Sequence, residues 1–152
     1  MIDRPIADVE TAAELACIEQ CRQWLRNFIN SEDRLVVDLA FKILTEYRGQ
    51  IAPGGLPNQW LNQLETKPRD LRLVELLITF DRDGYAIVPD ILKPLDRSDR
   101  KFAAVALAHD PRPTIVNAAD TDWSITRAAL EQAGLTVLEL CPDYIREILD
   151  NR

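Results

Sequence analysis

The sequence predicts an α/β fold in which a mainly parallel central sheet lies between helical layers, a three-layer α/β/α arrangement forming one domain over residues 1–152. Three observations predict it. Short apolar runs with β-branched residues, such as Leu35-Val36-Val37 and Thr114-Ile115-Val116-Asn117, alternate with longer stretches of helical period. Several of those stretches carry their own start or stop chemistry. A chain of 152 residues with 47% hydrophobic content has material for one sizeable core.

The elements follow in order. Thr11-Ala12-Ala13-Glu14 reads as a capping box, with Thr11 as N-cap and Glu14 three residues on. Leu15, Ile18, Leu25 and Ile29 recur at helical spacing, and the helix stops at Asn30-Ser31-Glu32-Asp33. Leu35 to Val37, ending at Asp38, is short and β-branched, as expected of a buried strand. A second helix places Ala40, Ile43, Leu44 and Tyr47 on one side with Glu46 beside them, and Pro53-Gly54-Gly55 breaks it. Pro57 suits the first position of a short helix turning Trp60, Leu61 and Leu64 inward. Leu73 to Phe80 reads as a strand, Asp81-Arg82-Asp83-Gly84 as its turn, and Tyr85 to Pro94 as irregular. Ser98 is expected to cap a helix with Phe102 to Leu107 as its interior. After the strand Thr114 to Asn117, Asp120 and Thr121 lead into a helix ending at Gly134. Leu135 to Leu140 alternates as a strand, and Pro142 opens the last helix.

Composition excludes several function classes. With 18 basic and 25 acidic residues the net charge is −7, which argues against nonspecific adhesion to nucleic acid or anionic membrane. An enzyme that meets phosphate through bound metal is not excluded. The five glycines include no dinucleotide or P-loop spacing. His109 has no GxSxG serine to serve. Cys17, Cys21 and Cys141 are too few for a disulfide framework. Cys17 and Cys21 have the spacing of half a metal site, but nothing in the sequence demands that Cys141 and His109 join them, so buried small hydrophobes are expected. Asp81-x-Asp83-Gly84 resembles a calcium loop, yet Thr79 and Asp90 hold two of its ligand positions, and an ordinary turn is the better reading. The N-terminus has no basic-then-apolar signal pattern and no apolar run approaches a membrane span, so a cytoplasmic address and no membrane partner are expected.

The carboxylates stand out by position. In a parallel sheet, ligands bind beyond the carboxyl ends of the strands. Asp38 ends one predicted strand, Asp120 and Asp122 follow another, Asp99 opens a helix, and Glu46 lies two turns into the helix that leaves Asp38. Acids gathered at one rim repel unless a cation joins them, and oxygen-only ligation suits Mg²⁺ or Mn²⁺. Taken singly, Asp99 and Asp120 read equally well as acids favoured at helix starts by the helix dipole.

Ser98 to Ala108, SDRKFAAVALA, resembles the segment of the PIN-domain family in which an Asp opens a helix of small and apolar residues. Ala118-Ala119-Asp120-Thr121-Asp122-Trp123 is similar to its TxDxxF-like turn, with Ala118 where Thr or Ser is usual. Leu44-Thr45-Glu46-Tyr47-Arg48 resembles the helix bearing the family's internal acid, and the resemblance extends from about Thr11 to Leu140. It implies a Mg²⁺- or Mn²⁺-dependent nuclease, most often a ribonuclease acting on RNA, and in many members a toxin held by an antitoxin-like protein partner. It leaves a homodimer open.

The family pattern has four acidic positions, onto three of which Glu46, Asp99 and Asp120 fall. The fourth should end a first strand. Only Asp3 is available, preceded by Met1 and Ile2, so that strand is short or missing; Asp38 or Asp122 are the acids nearest to compensating. Arg97, Arg100 and Lys101 flank Asp99, where they could meet substrate phosphates or simply form a solvated helix start. Trp123 is expected in the core rather than under a base. The resemblance therefore implies either an active nuclease or a PIN-like module that has lost catalysis and works by binding a protein.

Overall fold

A computed structural model describes residues 11–66 and 69–152 of a mixed α/β chain. The expected first strand, with Asp3, lies outside the described residues. Helix α1 spans Ala12–Ile29, and the Thr11 hydroxyl accepts the Glu14 N–H at 3.0 Å, as its N-cap pattern requires. Strand β1 is Leu35–Asp38, followed by α2 at Lys42–Gln50, α3 at Gly55–Thr66, the single turn α4 at Arg69–Arg72, and β2 at Leu73–Leu76. Asp81 then orders a tight turn: its Oδ1 accepts the N–H groups of Asp83 and Tyr85, and Gly84 takes the left-handed φ of 88°. Helix α5 runs over Arg100–Ala108, β3 over Thr114–Asn117, α6 over Thr121–Ile125, α7 over Arg127–Gln132, β4 over Thr136–Glu139, and α8 over Pro142–Asp150.

Both strand pairs are parallel. β1 lies beside β2 with Leu35 opposite Leu73, and β3 beside β4 with Thr114 opposite Thr136. Among the described residues the strands form two separate two-stranded sheets. Alternation in a sequence specifies strand and crossover, but it does not say which strands share hydrogen bonds. Helix α5 packs on both β1 and β3 and so holds the two pairs together. One apolar core gathers Phe28, Val37, Leu44, Trp60 and Leu64; a second gathers Leu92, Leu95, Ala103, Trp123 and Leu130, and Phe102 of α5 packs against both. Ring contacts run from Trp24 through Trp60, Tyr47 and Phe102 to the buried Trp123.

Several expectations change in the fold. In α1, Leu15 and Ile18 are exposed (58% and 42%), whereas Cys17 and Phe28 are buried and Trp24 packs against the first core. The buried face is chosen by contact with α3 and α8, not by the apolar stripe alone. β2 stops at Leu76, four residues early, because its partner β1 ends at Asp38; Leu77 is left in solvent. Asp96, not Ser98, supplies the cap before α5: its carboxylate accepts the Ser98 N–H. The helix expected to run from Thr121 to Gly134 breaks at Thr126, whose hydroxyl bonds the Asp122 carbonyl at 2.6 Å. Finally, a disulfide joins Cys17 to Cys141 across 124 residues, contrary to the expectation from three cysteines. Among the described residues, no helix is long and apolar enough to cross a membrane.

Candidate functional site

Three of the strands, β1, β3 and β4, end in polar side chains. Asp38, at the end of β1, is fully buried; its two carboxylate oxygens accept the Lys42 and Ile43 N–H groups, each at 3.0 Å. They hold the turn through Phe41, at φ 61°, into α2. Asp38 is thus a capping residue, with both oxygens engaged inside the chain. At the end of β3, Asn117 donates from Nδ2 to the Asp120 carbonyl and to Glu139 Oε2, both at 2.8 Å, and accepts the Asp120 N–H at 3.1 Å. Glu139, at the end of β4, also accepts from the Ser124 hydroxyl at 3.0 Å. These bonds fix the turn that presents Asp120. Asp120 is the N-cap of α6, with Oδ1 on the Asp122 N–H at 2.9 Å.

The start of α5 meets this turn. Asp96, Asp99 and Asp122 can bring one carboxylate oxygen each within 4.8 Å of the others. Asp99 occupies the N-cap position of α5 but makes no capping hydrogen bond. Partial burial, and then the negative charges of Asp120, Asp96 and Glu46, push its carboxyl up to about 6, against a smaller opposing effect of Lys101. Of the three acids singled out by the family resemblance, Glu46 and Asp120 are therefore each near enough to act on Asp99 electrostatically.

Beside Glu46 opens a cleft of about 320 Å³ lined by Lys42, Arg97, Lys101, Phe80 and Tyr85. Lys101 forms a 2.8 Å ion pair with Glu46 and also donates to the Ser98 carbonyl. Lys42 lies over the Phe80 ring at 4.5 Å, and the Arg97 guanidinium over Tyr85 at 5.8 Å. Arg100 does not line this cleft. Its guanidinium donates to the Leu95 and Lys93 carbonyls and lines a different depression of about 250 Å³.

The donor set fits a small hard cation. Mg²⁺ takes oxygen ligands at 2.0–2.1 Å, so opposite corners of its octahedron lie ~4.2 Å apart. Three ligands of one octahedron include at most one such opposite pair, the others lying ~2.9 Å apart, so the carboxylate oxygens of Asp96, Asp99 and Asp122, within 4.8 Å of one another, match the ion in chemistry and would have to draw together to bind it. Asp120 has one oxygen committed to its helix, and Glu46 is neutralised by Lys101. Asp3 lies outside the described residues.

Sequence reasoning missed Asp96, Lys42, Asn117 and Glu139. Asp96-Arg97-Ser98 has the spacing of an acid that caps the N–H two residues on, which was a usable signal. Nothing in the sequence joins Asn117 to Glu139, or Lys42 to Gly84, whose carbonyl accepts from the Lys42 ammonium. No protein-family model, curated protein or solved structure matches this chain.

Proposed function

We propose that the protein is a PIN-like, metal-dependent nuclease that hydrolyses phosphodiester bonds of RNA. The observation that carries this reading is an all-oxygen acidic rim, Asp96, Asp99 and Asp122, adjoining a cleft lined by Lys42, Arg97 and Lys101. In this reading the two parallel strand pairs under α5 belong to one three-layer arrangement. Asp99 and Asp122, with Asp96 and the remaining oxygen of Asp120, would hold Mg²⁺ or Mn²⁺. The ion supplies Lewis acidity and a water of lowered pKa. Arg97 and Lys42 face the cleft where a phosphate backbone would lie, and Tyr85 and Phe80 offer rings beside it. Lys101 holds Glu46 toward the rim through its ion pair, and Asn117 with Glu139 keeps the Asp120 turn in place. A toxin role with an antitoxin-like partner belongs to the same reading.

One observation favours a second reading, a PIN-like module impaired in catalysis that binds a protein. The Lys101 ammonium already neutralises Glu46, an acid the family resemblance assigns to the metal site.

Cleavage of single-stranded RNA with Mn²⁺, with EDTA, and by Asp99→Asn and Asp120→Asn chains separates the two. The nuclease reading expects Mn²⁺-dependent cleavage, abolished by EDTA and lost in both variants, since an amide is a poor replacement for an anionic ligand. Cleavage that survives EDTA would sink it. Absence of both cleavage and Mn²⁺ binding would put the binding module first.

A further inference from the structure

A second cluster of ligating side chains lies outside this rim. Cys17 and Cys21 sit one turn apart on α1, so their side chains share a face. Cys141 reaches them from the junction of β4 and α8, and the three sulfurs lie within 4.8 Å of one another. In the structure Cys17 and Cys141 form the disulfide, and Cys21 is a free thiol 3.9 Å from the Cys141 sulfur. Cys17 and Cys141 are buried among Tyr144, Ala13, Ala119, Leu140 and Ile148, while Cys21 is half-buried.

We propose that, once the disulfide is reduced, these three cysteines form a zinc site. Tetrahedral zinc with sulfur at ~2.3 Å places neighbouring sulfurs about 3.8 Å apart. Cys21 and Cys141 already stand at 3.9 Å, so the site needs the Cys17 and Cys141 sulfurs to separate by side-chain rotation and no helix to move. A trio of thiolates selects a soft or borderline cation over Mg²⁺. Cys141 is the N-cap of α8, where the helix dipole favours the thiolate. His109 does not join the group; its Nδ1 lies 2.6 Å from the Pro111 carbonyl oxygen.

The chemistry balances with a thiol reductant. Two small-molecule thiols reduce the Cys17–Cys141 bond, leaving two protein thiols and one small disulfide. Zn²⁺ then displaces three protons from the three thiols. Oxidation of Cys17 and Cys141 by a small disulfide reverses the sequence and releases the ion. Ala119 packs against the same cluster, one residue before Asp120, so the site adjoins the acidic turn.

The test is anaerobic titration of the full-length reduced chain with Zn²⁺ against a chromophoric chelator, repeated with Co²⁺ for its thiolate charge-transfer bands. One Zn²⁺ per chain, three thiols protected from alkylation and a Co²⁺–thiolate spectrum are expected. The oxidised chain should bind Zn²⁺ far more weakly. Cys21→Ser keeps the disulfide for folding, and after reduction it should lose at least the ~10- to 100-fold in affinity that even outer-shell partners are worth. Equal binding by oxidised and reduced chains would overturn the proposal. So would binding that survives Cys21→Ser but is lost in Asp99→Asn, because the ion would then sit on the carboxylate rim.

Discussion

Lys101 on α5 lies 2.8 Å from Glu46 on α2, joining two helices 55 residues apart with side chains only 11% and 26% exposed. Both residues line the basic cleft beside the acidic rim, and Asp99 feels both charges. Removing the cation alone leaves Glu46 next to other acids. Lys101→Met should therefore destabilise the chain by about 1–2 kcal/mol, less than a fully buried pair because Glu46 is partly hydrated. Adding Glu46→Gln should restore much of that loss. A double-mutant cycle by chemical denaturation checks it, and independent, additive losses would show that the pair is not coupled.

The raised carboxyl of Asp99 makes stability depend on pH. Its folded value, about 6, lies above that of an unfolded Asp, so the folded state binds more protons between the two values. The contribution of Asp99 to stability is therefore greatest below the unfolded value and is lost as pH rises through about 6. Asp99→Asn should flatten that slope and raise the melting temperature above pH 6 while changing little near pH 3.5. A steeper loss in Asp99→Asn than in the parent would reverse the sign and refute the cluster.

The same protonation opposes metal. If Asp99 is a ligand, Mn²⁺ affinity should fall about tenfold per pH unit below its folded value, one proton being displaced per ion. At a hundredfold excess over its dissociation constant, Mn²⁺ should add about 2.7 kcal/mol. For a domain of this length that is roughly 2–4 °C per kcal/mol. Asp120→Asn should keep its cap, since Asn serves α6 as well as Asp, yet lose most of the Mn²⁺ shift. A metal response untouched by that change would remove Asp120 from the site.

Two neighbouring arginines should behave differently. Arg97 faces the cleft, whereas the Arg100 guanidinium is spent on the Lys93 and Leu95 carbonyls. Arg97→Ala should weaken binding of single-stranded RNA and lower the salt slope by about 0.7, the value of one phosphate contact. Arg100→Ala should leave the slope alone and destabilise the fold by about 1–2 kcal/mol through two carbonyls that lose their partner. Fluorescence anisotropy across a salt series and thermal melts decide between them. Equal salt slopes for both variants would place the arginines in the same environment.

Much of the local structure was legible because its causes act over three or four residues. Thr11 caps α1, Pro142 opens α8, Gly134 follows α7 with a φ of 84°, and Thr114–Asn117 is a strand. Asp99 and Asp120 could be placed at helix starts for the same reason. Tertiary structure alone decided what lies far apart in the chain: the Cys17–Cys141 bond across 124 residues, the Glu46–Lys101 pair, and Asn117 on Glu139. It also decided which face of α1 is buried. Leu15 and Ile18 offer more apolar surface than the cysteines, but α8 and its disulfide lie on the other side, and burial follows the neighbour. Asp38 shows the limit most clearly. A carboxylate at a strand end is equally a ligand or a cap from its sequence, and only the distance to the Lys42 and Ile43 amides makes it a cap, because hydrogen bonds are decided within a few tenths of an ångström.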